Sequence, residues 1–296
     1  MPKIERLPYT DMPQLFQAAD SASITGQKQY LHGTRARLVL VSAAALSGIA
    51  SWRVGRGEVD VLALAAVVLF VAALLVECAL WKSRPDKAWY DARAVAESAK
   101  TLTWKFAVCA EPFPNSLAAA DAVKVLIDRL GNVGAQYPHL RLAPVDAQMV
   151  TEWMSVQRSA PWSERRQVYL DARLRDQKAW YTQKAQYNTS RSNQWRVALV
   201  GLEFVGFVMS LLQALKPGMP ALSGFVAAVV GAVVAWVETK QHDFNARAYS
   251  AAVSDLTKAE ARLINVEEEA GWAREVNDAE DAISREHTLW LASRSR

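Results

Sequence analysis

The sequence predicts an all-α, polytopic membrane protein with four transmembrane helices as two hairpins and with extended cytosolic helices. Three observations predict it. Four long apolar stretches stand out from a charge-rich background. A tryptophan lies at one end of each stretch: Trp52, Trp81, Trp195 and Trp236. No segment combines strand alternation with a hairpin turn signal. The mean hydropathy near zero averages over these two populations and conceals both.

The apolar runs are Leu38–Trp52, Val59–Trp81, Val197–Leu215 and Ala221–Val237. At helical rise the second is about 35 Å long and the third about 28 Å, enough for a hydrocarbon core of about 30 Å. The first and fourth, at roughly 22 and 25 Å, are near the short limit. Only Arg53-Val54-Gly55-Arg56-Gly57-Glu58 separates the first two, and only Lys216-Pro217-Gly218-Met219-Pro220 the last two. Such short polar or Pro/Gly turns join antiparallel neighbours. The four tryptophans are membrane-interface anchors, because indole prefers a boundary where its ring is buried and its N–H is wet.

Orientation follows from the cations. The two turns carry Arg53, Arg56 and Lys216, and the other 31 of 34 Lys and Arg residues lie outside the hairpins. The positive-inside rule then places both termini in the cytoplasm. The first thirty residues contain no apolar core of a cleavable signal, so the first span is expected to act as an uncleaved anchor.

The two hairpins are a repeat at an offset of about 155 residues. Gln29-Tyr30 answers Gln186-Tyr187, Ala79-Leu80-Trp81 answers Val234-Ala235-Trp236, and Asp91-Ala92-Arg93-Ala94 answers Asn245-Ala246-Arg247-Ala248. Two spans per copy make a parallel repeat, unlike the inverted repeats of alternating-access transporters. The expected organisation is a first two-span unit at 1–130, a linker with a short helix at 131–162, a second two-span unit at 163–270, and a charged tail at 271–296.

Between and after the runs the spacing is helical. Asp86–Ala110 puts Trp89, Ala92, Val95, Ala99, Leu102 and Phe106 on one face, with Glu97 and Lys100 on the other. Pro85 suits a first helical turn. Asn115 caps a helix over Ser116–Leu130 that Gly131 closes. A charged helix begins near Ser163, and the last span continues as helix through Leu263.

The chemistry of an enzyme is missing. His32, His139, His242 and His287 are scattered, and Cys78 and Cys109 are two lone thiols. There is no HExxH, phosphate loop, nucleophile elbow or metal-ligand spacing, so no catalytic residue, metal or cofactor is expected. A net charge of +4 is modest, and no nucleic-acid partner is expected.

Two carboxylates fall within the spans. Glu203 lies about 9 Å inside the third span and Glu77 near the cytosolic end of the second. An intramembrane carboxylate marks a polar cavity, an ion path or a specific partner, and both are pore or gating candidates. The simpler alternatives are that Glu77 reaches the interface or pairs with Lys82 or Arg196, and that Glu203 pairs across the bundle. Small residues on the spans, Gly224, Ala228, Gly231 and Ala235 among them, favour helix packing within or between chains.

The residues resemble the SLATT family, the two-transmembrane effector domains associated with SMODS nucleotidyltransferases and SLOG sensors. The resemblance rests on the short-turn hairpins and on Trp81-Lys82, Lys87-Ala88-Trp89-Tyr90, Arg93, Ala96-Glu97-Ser98, Lys100, Thr103-Trp104 and Glu111-Pro112-Phe113. In the second half it rests on Trp180, Lys184-Ala185, Trp195, Ala235-Trp236 and Tyr249. It covers roughly 9–115 and 165–265, in tandem. It implies an oligomeric antiviral-defence effector that forms or gates a pore when a nucleotide second messenger, or a cytosolic sensor or synthase-linked partner, signals. Trp89, Tyr90, Arg93, Glu97 and Lys100 are the signal-coupling candidates. A non-conducting membrane scaffold that recruits a cytosolic partner is the alternative. Either reading has the lipid bilayer as partner, and the first also a second copy of the chain.

Overall fold

The computed structural model describes residues 8–55, 59–216, 220 and 222–294, with side chains after Ser284 left aside. The turn residues Arg56, Gly57, Glu58, Pro217, Gly218 and Met219 lie outside the described set. The fold is all-α. Its helices are α1 Gln14–Ser47, α2 Val61–Ser83, α3 Pro85–Ala107, α4 Ala119–Ala135, α5 Glu152–Ser159, α6 Trp162–Val168, α7 Asp176–Leu215, α8 Leu222–Lys240, α9 His242–Ile264 and α10 Glu269–Arg294. A π-helical turn, Tyr169–Arg175, joins α6 to α7. Two-residue strands β1 Arg53–Val54 and β2 Val59–Asp60 pair antiparallel beside the first turn.

Among the described residues, three helical stretches are long and apolar enough to cross a membrane: Val61–Ala107, Trp162–Leu215 and Leu222–Ile264. The first apolar run is not one of them. Its helix ends at Ser47, and Gly48–Trp52 leaves helical geometry, so only part of the run is helical.

The chain divides into two compact units that interleave in sequence. The apolar unit comprises Gln27–Pro85 and Asn188–Phe244. Its spans bury little within the chain. Val67, Val68, Leu74, Leu75, Val197, Val200, Phe204 and Phe207 are all more than half exposed, which suits lipid and not water as their solvent. Inside this unit α1 and α2 touch where Gly33 admits Leu80, whose Cδ2 would stand 2.6 Å from an added Cβ. Likewise α7 and α8 touch at Gly206, where Val226 Cγ1 would stand 3.3 Å away. Close approach at glycine drives helix packing in lipid. Gly201, Gly224 and Gly231 instead face open space.

The helical unit comprises Met1–Gly26, Asp86–Tyr187 and Asn245–Arg296, and it holds the core. Trp104, Tyr169, Leu174, Leu256, Leu263, Trp272 and Val276 pack into one cluster, with Phe106, Phe113, Leu126, Leu130 and Met154 in a second. Aromatic edges meet faces within the first, Tyr169 to Trp272 at 5.7 Å and Trp104 to Trp153 at 5.3 Å.

Four local expectations change. The C-terminal segment read as a charged tail is α10. Trp272, Val276, Ala279 and Ile283 are buried on it at i, i+4, i+7 and i+11, an apolar stripe that abundant charge hides from a composition count. Only residues 136–147 of the loop-like stretch are irregular, and Tyr137, Leu140 and Leu142 pack with Val133 of α4 on Ala19, Val95 and Ala96, so this stretch belongs to the core. Gly131 does not close α4, which begins at Ala119 and runs to Ala135, because a lone glycine inside a helix costs only about 1 kcal/mol. The last span does not continue unbroken: Gln241, at φ 50°, ends α8, and α9 starts anew. Arg84, at φ 44°, does the same between α2 and α3. A positive φ is uncommon away from glycine. Here it recurs at corresponding places in both copies, each followed by a 23-residue helix. The offset that carries Arg84 to Gln241 also carries buried Ala92, Val95, Ala99 and Phe106 to buried Tyr249, Ala252, Leu256 and Leu263. It is slightly longer than the offset that matches the tryptophans.

Candidate functional site

Two sets of polar groups stand apart from the ordinary surface, one in each unit. In the apolar unit, α2 carries Glu77 to Arg37 on α1, and the two form an ion pair. Neither Lys82 nor Arg196 is the partner; Arg196 pairs instead with Asp243 at 3.1 Å. The pair is exposed enough that solvent or headgroups would weaken it. Glu203 differs. It is exposed on α7 between Val200 and Phe204, and forms no hydrogen bond or ion pair with another described residue. Of the tryptophans expected at the interface, Trp52 and Trp81 are well exposed. Trp195 is half-buried, and so is Trp236, with the Lys240 ammonium 5.5 Å from its ring.

Also in the apolar unit, buried His242 shares a 2.7 Å hydrogen bond with Asn188 Oδ1 through Nδ1. An amide oxygen only accepts, so Nδ1 carries the proton in this arrangement. Burial first, then the Lys240 and Arg191 cations, lowers the imidazole pKa. The folded state therefore takes up its proton at lower pH than the unfolded chain does. Stability from the neutral ring is complete above about 6.5 and is lost as pH falls from there through the lowered folded value. Thermal melts of the detergent-solubilised chain should show a midpoint that falls between neutral pH and pH 5. A His242→Asn variant should lose that part of the dependence, and equal slopes for both proteins would remove the imidazole as its source.

In the helical unit, a carboxylate is sealed in the core. Glu280 on α10 is 0% exposed and Arg173 is 2% exposed. Arg173 Nε donates to Oε1 at 2.8 Å and Nη2 to Oε2 at 2.6 Å, a bidentate fork. Tyr169 Oη donates to Oε1 at 3.1 Å, and Thr101 Oγ1 to Oε2 at 2.9 Å. Four donors thus satisfy one buried anion. Tyr169, Leu170, Arg173 and Leu174 are all buried on the π-helical turn. Burial works against the guanidinium charge, but Glu280 outweighs it and raises the Arg173 pKa. Burial, reinforced by Glu280, pushes the Tyr169 hydroxyl well above its usual value.

Beside the pair lies a cavity of about 220 Å³ lined by Tyr9, Phe16, Lys100, Trp104, Arg173 and Asp176, among others. Burial lowers the Lys100 pKa, partly offset by Glu97. The Asp20 carboxyl on α1 is raised by burial and by Glu97, against Lys100 and Arg93. Three of the five signal-coupling candidates, Arg93, Glu97 and Lys100, therefore share one electrostatic neighbourhood. Of the other two, Trp89 is buried, and its ring centre lies 4.9 Å from that of Tyr90 with the rings tilted by 41°.

Arg173, Glu280, Thr101 and Tyr169 were not singled out from sequence. Arg173 and Glu280 sit in charged strings that read as solvated faces. The available signal was phase: Arg173 lies four residues after Tyr169, and Glu280 four after Val276 and three before Ile283, each on an apolar stripe. Arg158 is similar. Its guanidinium is buried and donates to the carbonyls of Phe106, Phe113, Pro114 and Leu117, closing the irregular chain after α3. Cys109 is fully buried and its thiol is raised by burial, the setting of a structural cysteine. No group of His, Cys, Asp and Glu among the described residues could hold a metal ion.

Residues 13–166 match the family model described as SMODS and SLOG-associating 2TM effector domain 3. Residues 169–290 match the model described as SMODS and SLOG-associating 2TM effector domain 1. No curated protein and no solved structure matches the chain.

Proposed function

Because the chain belongs to the SLATT family of two-transmembrane effector domains, with two such domains in tandem, we propose that it is an oligomeric effector that forms or gates a pore in the bacterial inner membrane. The first apolar run completes a fourth span, the spans pair as two hairpins, and both termini lie in the cytoplasm. The trigger is a defence signal linked to a nucleotide second messenger, received directly or through a sensor or synthase-linked partner. Opening depolarises the cell and arrests growth or kills.

The observation that carries this reading is Glu203. A carboxylate exposed on an apolar helix, without a partner among the described residues, costs too much facing lipid alone. A second copy of the chain or a water-filled lumen removes the cost, and a ring of such carboxylates favours cations. Gly201, Gly224 and Gly231, unused for packing within the chain, offer room for another chain's backbone. Moving such an assembly from mostly closed to mostly open needs about 5.5 kcal/mol of differential signal binding. Several weak sites in one oligomer would supply it.

The test is induced expression in bacteria loaded with a potential-sensitive dye, together with the triggering signal supplied by phage infection. Depolarisation that precedes growth arrest is expected. A membrane potential that stays intact while the protein fractionates with membranes and growth still stops would favour a non-conducting scaffold that recruits a partner.

A further inference from the structure

The cavity beside the Arg173–Glu280 pair combines features that a purely structural void has no use for. Arg173 is 2% exposed and its charge is balanced by Glu280, yet its Nη1 is buried and finds no acceptor among the described residues. Unsatisfied buried donors are rare, because each forfeits the hydrogen bond it made to water. Lys100 lines the same space and forms no hydrogen bond or ion pair with another described residue. Two cationic side chains thus line one hollow, with the Glu97, Glu280 and Asp176 carboxylates acting on Lys100. Trp104, Tyr9 and Phe16 supply apolar ring surface around it. Arg173 lies on the π-helical turn, a rare geometry that is frequent at functional sites.

We infer that this cavity binds a small soluble organic anion: a single phosphate or carboxylate group held between Lys100 and Arg173, on a planar body that packs against Trp104, Tyr9 and Phe16. The Asp176 carboxylate on the same wall limits the charge that the site tolerates, so one anionic group is accepted and a polyphosphate is not. The aromatic walls favour an organic ligand over an inorganic ion, which would leave them unfilled. At about 220 Å³ the space suits a ring with one substituent.

The inference concerns binding alone and holds whether or not the protein conducts. It is tested by isothermal titration of the purified, detergent-solubilised full chain with phenyl phosphate, inorganic phosphate and phenol. Saturable one-to-one binding of phenyl phosphate is expected, weaker binding of inorganic phosphate, and none of phenol. Lys100→Met should weaken phenyl phosphate binding about ten- to a hundredfold, the loss typical of one charged hydrogen-bond donor. Asp176→Asn should tighten it, a change that a merely structural carboxylate would not produce. Arg173 is left intact because removing it endangers the fold. Absence of phenyl phosphate binding at millimolar concentration, or binding unchanged in Lys100→Met, overturns the assignment. Phenol binding as tightly as phenyl phosphate overturns it too. A chain that binds phenyl phosphate but never depolarises cells keeps this site and loses the pore.

Discussion

Replacing Glu280 by Gln is expected to destabilise the helical unit by about 3–5 kcal/mol, the usual cost of removing one partner from a buried ion pair. The substitution keeps the shape of the side chain and removes the charge. Arg173 would then stand buried without a counter-ion, and the amide nitrogen would confront Tyr169 or Thr101, donors that now meet a donor. Because both groups are almost wholly buried, solvent offers little screening. Near-ultraviolet circular dichroism reads this directly, since Trp104, Tyr169 and Trp272 pack edge to face around the pair. The thermal midpoint of that signal should fall steeply. Arg173→Met combined with Glu280→Leu should recover most of the loss, because no charge is then stranded. An unchanged midpoint in Glu280→Gln would mean that the pair carries no such energy.

Glu203→Gln should have the second large effect, on conduction and not on folding. If equivalent carboxylates ring the path, removing them takes away the attraction that favours cations. An attraction of about 1.4 kcal/mol corresponds to roughly tenfold in preference. The expected result in proteoliposomes is a cation preference reduced about tenfold, with the chain still inserted and oligomeric. Glu203→Lys should reverse the preference towards anions. Equal flux and equal ion preference in the unaltered and Gln proteins would dispose of the ring, while leaving the family assignment untouched. Glu77 offers an internal comparison. Its ion pair with Arg37 already neutralises it, so Glu77→Gln should shift preference far less.

The features read correctly from sequence share a physical property: each is a sum over neighbours along the chain. Hydropathy summed over a run finds the long spans. A 3.6-residue period finds α3. Self-similarity finds the repeat, and a handful of residues around Trp89 and Trp104 is enough to point to the family. What depends on the third dimension was hidden. Lys100 reads as the polar face of an amphipathic helix because its neighbours in sequence alternate properly, yet it borders a cavity built by the N-terminal segment and the π-helical turn. Alternation locates a face but does not say what covers it. Pro85 marks the start of α3 in the sequence, but the break at Gln241 has no such mark, since left-handed geometry there falls on a residue that is not glycine.

By itself, then, the sequence determined that the protein is helical, that its spans belong in lipid, and that it is a tandem of related units, since transfer free energy and helical periodicity are local quantities. Only the tertiary structure decided that α10 is core and not tail, that Glu77 meets Arg37, and that Glu280 meets Arg173 across 107 residues of chain. Partner choice between distant charges is a matter of which surfaces become buried together. A buried charge selects its counter-ion through desolvation, an energy that exists only once the core has closed around both.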